Sequence, residues 1–507
     1  MGLPSSVQMP RKLIKAGWQT PHLRSASVLR AAEGTVRPQV VILGAGPAGV
    51  GAAFQLARRG VALPIVLEQR EAVGGNAGSF ELDGLWVDYG SHRLHPACDP
   101  EILRDLRELL GDDLLDRPRH GRIRLGGRWI DFPLKPVDLV FHLPKRFSAG
   151  IAADMVRKVW PRRQGGPETF ATVLERALGA TICREFYFPY ARKLWGLEPN
   201  ELSVTQVRRR VSANSLGKMF RKIAAAIPGL KPPGAGRFFY PRCGYGQISQ
   251  RLTEAALATG AKFLFSAKVI AIEREGDRVT AVRYERHGEE HSIQTSHVWS
   301  TLPISLLVRS VRPAMPAEAL AAAAGISFQG MILIYLVLEQ DRFTEYDAHY
   351  FPEEAIPISR LSEPKNYSAV TEPRGRTVLC AELPSKPDSP PWAMSDEELG
   401  RALRQWLGSV GLPITAPIRR VVTRRLRQAY PIYSVGYEAH LRTMDRSLSE
   451  LQGLLTFGRQ GLFAHDNTHH ALYMAYAAVE CLKEDGDFDS GLWHEFRKVF
   501  ETHVVED

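Results

Sequence analysis

The densest group of metal-ligating residue types stands near the C-terminus, where residues 465–470 read HDNTHH. His465 and His469 are four positions apart, a spacing that places both imidazoles on one face of a helix and suggests a metal site. A closed metal site also needs further ligands and residues that orient them, and the sequence offers no partner cluster elsewhere. The sequence therefore predicts no bound metal, and these histidines must belong to a different kind of site.

A glycine pattern suited to binding phosphate lies within residues 38–70. A buried-strand pattern, VVIL, is followed by Gly44, Gly46 and Gly49, then by an amphipathic helix and a second strand that ends at Glu68. Gly44 would permit a tight turn, Gly46 the close approach of a pyrophosphate, and Gly49 the packing of helix against strand. Glu68 would accept hydrogen bonds from an adenosine ribose and repel a 2′-phosphate. The segment predicts a site for NAD or FAD rather than NADP; a glycine turn in another α/β protein is the alternative.

The residues after Glu68 favour FAD over NAD. Gly74 and Gly75 stand where flavoproteins of the glutathione-reductase-like superfamily carry a second glycine pair, and FELDGLWVDYGSH is typical of a hairpin that returns to the cofactor. This start resembles that of the amine oxidase, protoporphyrinogen oxidase and UDP-galactopyranose mutase group. The segment VDYGSHRL (87–94) is similar to a mutase segment, which implies that His92 lies against the flavin. The alternative is that His92 is a turn residue bonded to backbone.

Later segments are similar to UDP-galactopyranose mutases in the same order, over most of residues 38–485. They are FYFPYARKLWGLEPNELSVTQVRRRV (186–211), YFPEEAIPISRLSEPKNYS (350–368), AYPIYSVGYE (429–438) and FGRQG (457–461). The resemblance implies that Arg210 and Arg360 bracket the substrate, with Tyr430 on its phosphates; guanidinium groups match phosphate oxygens and stay charged. The cofactor-binding residues that it implies, beyond those of the glycine motif, are Gly75, Asn76, Val269, Gly458, Arg459, Asn467 and Thr468.

Two positions depart from the mutase pattern. His465 stands where mutases carry a phosphate-binding tyrosine, and Ser91 replaces the second glycine before His92. A changed substrate, or a changed reaction on the same scaffold, therefore stays open.

The resemblance implies a flavoenzyme for a nucleotide-diphosphate sugar. In a pyranose/furanose mutase, N5 of reduced FAD is the nucleophile at the anomeric carbon, and the active site here would hold His92, Arg210, Arg360, Tyr430 and His465. One alternative is an FAD-dependent oxidoreductase of the amine oxidase or protoporphyrinogen oxidase type, acting on a small molecule or modified sugar. Another is a non-catalytic nucleotide-binding protein. The two arginines favour the mutase, because an apolar substrate needs no paired cations.

These residues require an α/β fold with α+β elements. We expect a glutathione-reductase-like Rossmann FAD-binding domain built from discontinuous segments, joined by a helical insertion and a mixed-sheet substrate domain. The predicted parts are a flexible basic tail (1–37), the FAD-binding domain (38–100, 237–303 and 441–490), the helical insertion (101–236), the substrate-binding sheet domain (304–440) and a C-terminal tail (491–507).

The composition of the 507-residue chain is that of an ordinary globular protein, with 44% hydrophobic and 24% charged residues. Its net charge of +10 favours an anionic ligand, although a solvated arginine-rich surface has the same composition. Without a recognisable nucleic-acid-binding module, nucleic acid is not expected as a partner. The sequence does not determine the oligomeric state.

Cysteine use and hydropathy indicate where the chain resides. The five cysteines include no C-x-x-C pair, which favours a reducing compartment, and we expect a cytoplasmic location. Residues 319–338 are 20 uncharged positions, long enough to span a bilayer. They divide at Gly325 into an alanine-rich helix and a β-branched strand, so no stable membrane insertion is expected.

Overall fold

The computed structural model describes residues 37–132, 145–158, 167–210 and 236–505. Of the basic tail expected at 1–37, only Arg37 falls within these ranges. The side chain of Arg210, the last residue of a helix, also lies outside what is described.

The described strands and helices follow one another closely along the chain. The strands are β1 Gln39–Leu43, β2 Leu63–Leu67, β3 Ser79–Leu82, β4 Leu85–Asp88, β5 Leu114–Pro118, β6 Gly121–Leu125, β7 Arg128–Phe132, β8 Arg237–Pro241, β9 Lys262–Leu264, β10 Ala267–Glu275, β11 Arg278–Arg286, β12 Glu289–Gln294, β13 His297–Ser300, β14 Val311–Arg312, β15 Ser327–Leu338, β16 Ala348–Tyr350, β17 Arg360–Ser362, β18 Thr377–Ser385, β19 Ile418–Ile432 and β20 Leu454–Thr456. The α-helices are α1 Pro47–Arg59, α2 Pro100–Leu110, α3 Lys145–Lys158, α4 Phe170–Leu178, α5 Ala180–Ile182, α6 Phe188–Trp195, α7 Val204–Arg210, α8 Gln247–Ala258, α9 Ile304–Ser310, α10 Ala317–Ala324, α11 Pro364–Ser368, α12 Pro390–Ala393, α13 Asp396–Ser409, α14 Tyr437–Ser449, α15 Gly458–Gly461, α16 Thr468–Glu480 and α17 Ser490–Phe500.

A five-stranded parallel sheet, in the order β20-β13-β1-β2-β9, forms the centre of the first domain. The VVIL run of β1 is fully buried, as expected for a parallel sheet that is covered on both faces. Helices α1 and α16 pack closely against each other beside this sheet. A Cβ on Gly51 of α1 would lie only 2.8 Å from the Leu472 side chain of α16. The strands come from distant parts of the chain, so the predicted Rossmann-type domain of discontinuous segments is confirmed.

A seven-stranded mixed sheet, in the order β19-β15-β18-β17-β16-β6-β7, forms the second domain. Residues 319–338 divide as expected between α10 and the buried strand β15. No helix within the described ranges is long and apolar enough to cross a membrane.

The segment 101–236 is expected to be a helical insertion, but it also contains strands. Its strands β6 and β7 extend the second sheet, and β6 pairs in parallel with β16. Residues of β6 alternate between buried and half-buried positions, with Ile123 and Leu125 in the core and Arg122 and Arg124 outside it. This period of two is a strand signal that the neighbouring helical pattern obscured.

The segment 491–507, expected to be a tail, begins with a helix that completes the core of the first domain. Trp493, Phe496 and Phe500 of α17 are buried in that core at helical spacing. The side chain of Asp489 caps the helix by accepting a 2.9 Å hydrogen bond from the N–H of Leu492. The chain therefore remains folded to residue 505.

Substitution of Phe496 by alanine tests whether α17 belongs to the cooperative fold. Phe496 is 1% exposed, so we expect Phe496→Ala to lower the free energy of unfolding by about 3–5 kcal/mol. His494 lies on the exposed face of the same helix, and His494→Ala should change the free energy of unfolding by less than about 0.5 kcal/mol. Urea titrations of both variants measure the difference, and equal effects would mean that α17 is not part of the core.

Candidate active site

A cavity of about 670 Å³ opens at the carboxyl ends of β1, β2 and β13 and extends to the second sheet. This volume lies in the range of roughly 300–1,000 Å³ that small-molecule sites occupy. Ligands of open α/β sheets bind at this edge, because the loops that follow the strands diverge there.

Gly44 and Gly46 line the floor of the cavity at the turn between β1 and α1, and Gly49 follows in the first turn of the helix. Gly44 has φ +98°, a conformation that favours glycine. A Cβ on Gly49 would lie 1.9 Å from the carbonyl oxygen of Gly44, so only glycine lets the helix pack here. A Cβ on Gly46 would meet no described atom within 4 Å, which leaves open space at the start of the helix. This geometry fits a pyrophosphate at a helix N-terminus.

Glu68 lies beside this floor at the end of β2. Its carboxylate accepts hydrogen bonds from the N–H groups of Ala45 (2.8 Å) and Arg70 (2.9 Å), one at each oxygen. Each carboxylate oxygen has a second lone pair, so both can still accept hydrogen bonds from a ribose. Glu68 therefore orders the glycine turn and lines the cavity at once.

The second glycine segment closes over the first. A Cβ on Gly75 would lie 3.2 Å from the Cα of Gly46, so the two turns are in direct backbone contact. The side-chain amide of Asn76 donates to the carbonyl oxygen of Gln428 at 3.1 Å, which joins this turn to the second sheet. Gly75 and Asn76 both line the cavity.

Helices α15 and α16 bring the C-terminal part of the sequence to the same cavity. A Cβ on Gly458 would lie 2.8 Å from that of Ala48, and Arg459 stands over the ring of Tyr430 at 5.2 Å. Asn467 and Thr468 line the cavity at the start of α16, whose N-terminus carries a partial positive charge.

Three predicted cofactor-binding residues, Gly49, Gly458 and Val269, do not line the cavity. Gly49 and Gly458 pack close beside it, whereas Val269 lies farther away in β10. It stands two residues beyond Ala267, whose N–H donates to the carbonyl oxygen of Glu68 at 2.8 Å. The Val269 side chain packs instead against a hydrophobic core cluster. Because successive side chains of a strand face opposite ways, Val269 can face only one side of β10, and this side is the core. The pairing of β10 with β11 is also irregular just after Val269.

His92 is bonded to backbone, as one of the two interpretations of its sequence expected, and it also lines the cavity. Its Nε2 atom lies 3.0 Å from the carbonyl oxygen of Tyr89, and its ring stacks on Tyr245 at 5.3 Å while lining the cavity. Because a carbonyl only accepts, Nε2 carries the proton and Nδ1 is an acceptor. Burial lowers the pKa of His92, although the Asp88 carboxylate opposes this shift. The lowered pKa favours the neutral imidazole.

Asp88 is a buried carboxylate that sequence reasoning missed. It accepts hydrogen bonds from Ser79 Oγ (2.6 Å), the Tyr240 hydroxyl (2.7 Å) and the Tyr245 N–H (2.8 Å). Burial raises the pKa of this carboxyl. This network fixes the hairpin that presents His92. In the sequence, the only sign of a role for Asp88 is its position four residues before His92.

Arg360, the predicted substrate-binding arginine, lines the cavity and is paired with a carboxylate. Its Nε and Nη2 atoms each donate to one oxygen of Glu382 at 2.9 Å. Burial alone would lower the pKa of Arg360, but the Glu382 carboxylate raises it well above its usual value. Glu382 was missed because the pair forms across β17 and β18, and sequence alone does not give their register.

Ser91, the departure noted before His92, has a defined role in the same network. Its N–H donates to Glu382 at 2.8 Å, and its hydroxyl is hydrogen-bonded to the hydroxyl of Tyr367. Arg93, a second residue that was missed, donates to Tyr367 at 3.0 Å and to Asp347 at 3.1 Å. Ser91 thus joins the His92 loop to the Arg360–Glu382 pair.

Tyr430 and His465 also meet in the cavity, with their rings stacked at 6.1 Å. His465 is 1% exposed, and its backbone N–H donates to the hydroxyl of Tyr433 at 3.0 Å. The ring of Trp195 lies 6.3 Å from the imidazole and is nearly perpendicular to it. The predicted active-site residues His92, Arg360, Tyr430 and His465 therefore share one cavity.

A group of possible metal ligands contradicts the expectation that HDNTHH has no partner cluster. His503, beyond α17, places Nδ1 at 3.1 Å from Asp466 Oδ2, and His470 Nδ1 lies 3.8 Å from Asp466 Oδ1. The three ligand atoms lie within 4.8 Å of one another. Spacing within the motif pointed to His465 and His469, whereas the group in space contains neither. His469, predicted in the first turn of the helix, is indeed its second residue.

The fold and the cavity define a dinucleotide-binding flavoenzyme. The chain belongs to the flavin containing amine oxidoreductase family, whose model matches residues 47–475. A flavin cofactor and membership of the FAD amine oxidase superfamily follow from this match.

Three known proteins show the range of this likeness. The chain is 26% identical over 175 residues to a probable UDP-galactopyranose mutase of Klebsiella pneumoniae, covering 34% of this chain and 44% of that one. It is 25% identical over 265 residues to a phytoene dehydrogenase of Streptomyces griseus, covering 48% of this chain and 50% of that one. The chain thus spans half or less of the length of these curated relatives. A solved structure of reduced UDP-galactopyranose mutase has a similar fold, with a TM-score of 0.76, 22% identity and coverage of 92% of this chain and all of that one.

Substitution of Gly46 by alanine tests the floor of the cavity. An added Cβ meets no described atom, so Gly46→Ala should fold normally but occupy space reserved for the pyrophosphate. We expect flavin affinity to fall roughly tenfold or more, which corresponds to about 1.4 kcal/mol. The matched control is Gly408→Ala, where an added Cβ also meets no described atom within 4 Å. Flavin fluorescence titration of the apoprotein measures both, and unchanged affinity in Gly46→Ala would contradict the assignment.

Proposed function

We propose that this flavoenzyme acts on a nucleotide-diphosphate sugar and interconverts its pyranose and furanose forms. The charge of the cavity carries the proposal, because the described lining residues include seven arginines and three carboxylates. The carboxylates are Glu68, Glu382 and Asp466. Such an excess of guanidinium groups suits two diphosphates, one from FAD and one from the substrate.

Arg425 is the clearest source of that excess. Its guanidinium donates to the carbonyl oxygens of Trp392 (3.1 Å) and Met394 (2.5 Å) and to the hydroxyl of Thr423 (2.8 Å). These three partners are neutral, so they orient the cation without cancelling its charge. A phosphate in the cavity would supply the negative charge that balances this guanidinium.

Arg360 would orient the substrate rather than attract it. Glu382 holds Nε and Nη2, which leaves Nη1 to donate to a substrate oxygen. Tyr430 adds a phenol hydroxyl, a directional donor without a further charge. The pair with Glu382 fixes the guanidinium before the substrate binds, so little conformational entropy is lost on binding.

Two further features suit the chemistry that we propose. Reduced FAD, when bound, supplies a nucleophilic nitrogen toward the anomeric carbon. The positive end of α16 would stabilise its negative charge, and the neutral His92 offers Nδ1 as a proton acceptor.

We infer a cytoplasmic location from five cysteines without a disulfide.

An oxidation is the second candidate function. The Glu382 carboxylate neutralises Arg360, and Leu302, Pro303 and Leu306 give one part of the cavity an apolar wall. Leu306 is 45% exposed there. These features suit dehydrogenation of a less polar small molecule, as does the likeness to a phytoene dehydrogenase.

A redox experiment separates the two reactions. The purified chain is reduced with dithionite under anaerobic conditions and incubated with a panel of nucleotide sugars. A mutase should work only in the reduced form and give a product of unchanged mass, detected by chromatography and mass spectrometry. Bleaching of the oxidised flavin by substrate would instead establish the oxidase, and a chain without flavin absorbance would contradict both.

Substitution of Arg360 tests its contact with the substrate. We expect Arg360→Ala to lower kcat/KM for the nucleotide sugar roughly hundredfold, about 2.7 kcal/mol, with flavin still bound. Arg360→Lys should restore little, because an ammonium lacks the planar fork that pairs with both oxygens of Glu382 while a third N–H group faces the substrate.

Arg419→Ala is the matched control for this prediction. Arg419 lies on the same sheet and also pairs with a carboxylate, that of Asp83 at 3.0 Å, but it does not line the cavity. Steady-state kinetics and flavin absorbance compare the three variants. Equal activity of Arg360→Ala and Arg419→Ala would remove Arg360 from the proposed site.

A further inference from the structure

The group formed by Asp466, His470 and His503 brings together two distant parts of the chain. Asp466 and His470 flank the start of α16, whereas His503 follows α17. The Asp466 carboxylate lies between the imidazoles, at 3.1 Å from His503 Nδ1 and 3.8 Å from His470 Nδ1. The two rings lie 4.2 Å apart and are nearly parallel, at 13°.

The Asp466 carboxylate is buried without full compensation. Its side chain is 0% exposed, and Oδ1 accepts no hydrogen bond from any residue in the described ranges. His470 Nδ1 lies 3.8 Å from this oxygen and Arg209 Nη1 lies 4.0 Å from it, both beyond hydrogen-bonding distance. A buried carboxylate oxygen without a hydrogen-bond donor among the described residues is a candidate ligand for a cation.

His470 already has its lone pair on the nitrogen that faces this group. The N–H of Asn467 donates to His470 Nδ1 at 3.2 Å, so the ring proton is on Nε2. A metal would exchange this long hydrogen bond for a coordinate bond, and would replace the proton between His503 and Asp466.

We propose that Asp466, His470 and His503 bind a divalent transition-metal ion at the wall of the cavity. Two imidazole nitrogens and one carboxylate oxygen are a donor set for Zn²⁺, Co²⁺ or Ni²⁺, with water completing the coordination. The site is independent of the proposed reaction and involves neither the glycine turns nor the Arg360–Glu382 pair.

The surroundings select the class of metal. Arg209 and the positive end of α16 both oppose a cation, so charge attraction alone gains little. Mg²⁺ and Ca²⁺ prefer oxygen ligands and depend on that attraction, whereas transition metals gain from bonding to imidazole nitrogen. The site should therefore bind Zn²⁺ and Co²⁺ and reject Mg²⁺ and Ca²⁺.

The ion would fasten the C-terminal residues to the cavity. Val505 lines the cavity, and its N–H donates to the carbonyl oxygen of Arg209 at 2.8 Å. The Arg209 guanidinium in turn donates to the carbonyl oxygens of Phe500 (2.6 Å) and His503 (3.3 Å). A metal bound between His503 and α16 would make this part of the wall rigid, which is a structural role.

The test is a titration of the full chain, without a histidine tag and treated with a chelator, with its flavin bound. We expect Co²⁺ to give the visible d–d absorbance of a nitrogen-ligated ion, Zn²⁺ to displace it, and Mg²⁺ or Ca²⁺ to leave it unchanged. Because the flavin absorbs in part of the same range, the metal-free protein is subtracted at each point. Zn²⁺ should also raise the melting temperature.

Ligand variants and a matched histidine control make the test specific. His503→Ala and Asp466→Asn should each weaken Co²⁺ binding by at least about tenfold and abolish the Zn²⁺-dependent rise in melting temperature. The exposed His494 of α17 is the control, and His494→Ala should bind as the unaltered chain does. No Co²⁺ spectrum in the unaltered chain would overturn the proposal, even if a variant fails to fold. Equal affinity in His503→Ala and His494→Ala would overturn it as well, and would leave an ion-pair network.

Discussion

The site depends on how closely two pieces of backbone approach at the turn between β1 and α1. The carbonyl oxygen of Gly44 occupies the place that a Cβ on Gly49 would need, at 1.9 Å. Without that approach α1 could not rest on β1, and its N-terminus would not reach the floor of the cavity. The turn at Gly75 packs on Gly46 in the same way, so the floor of the cavity at these two turns is built from backbone.

Above this floor, the second sheet supplies charge in a fixed arrangement. Arg360 and Glu382 face each other across β17 and β18 with two parallel hydrogen bonds. Loss of either partner would leave a buried charge, which costs about 3–5 kcal/mol. Ser91 joins this pair to the His92 loop of the first domain. The cavity therefore has a rigid wall, in which cations are oriented before any ligand binds.

The C-terminal residues contribute more to this architecture than their place in the chain suggests. Helix α17 fills the core of the first domain with Phe496 and Phe500, and the residues beyond it return to the cavity through His503 and Val505. The cavity thus contains elements from both domains and from the end of the described chain.

Patterns that depend on near neighbours could be predicted from the sequence by itself. The order of strand, glycines, helix and terminal Glu68 determined the first βαβ unit, and the break at Gly325 determined that 319–338 forms a helix and a strand. Each rests on a local period or on the conformation of one residue. The resemblance added the flavin and named His92, Arg360, Tyr430 and His465, which share one cavity.

Only the tertiary structure decided the contacts between distant segments. The pairing of Arg360 with Glu382 depends on strand register, which no local pattern encodes. The strands β6 and β7 joined the second sheet although their segment is mostly helical in pattern. In HDNTHH, helical spacing singled out His465 and His469, whereas folding brought His503 to Asp466 and His470. The physical reason is that spacing along a chain gives the face of one element, and packing decides which elements meet.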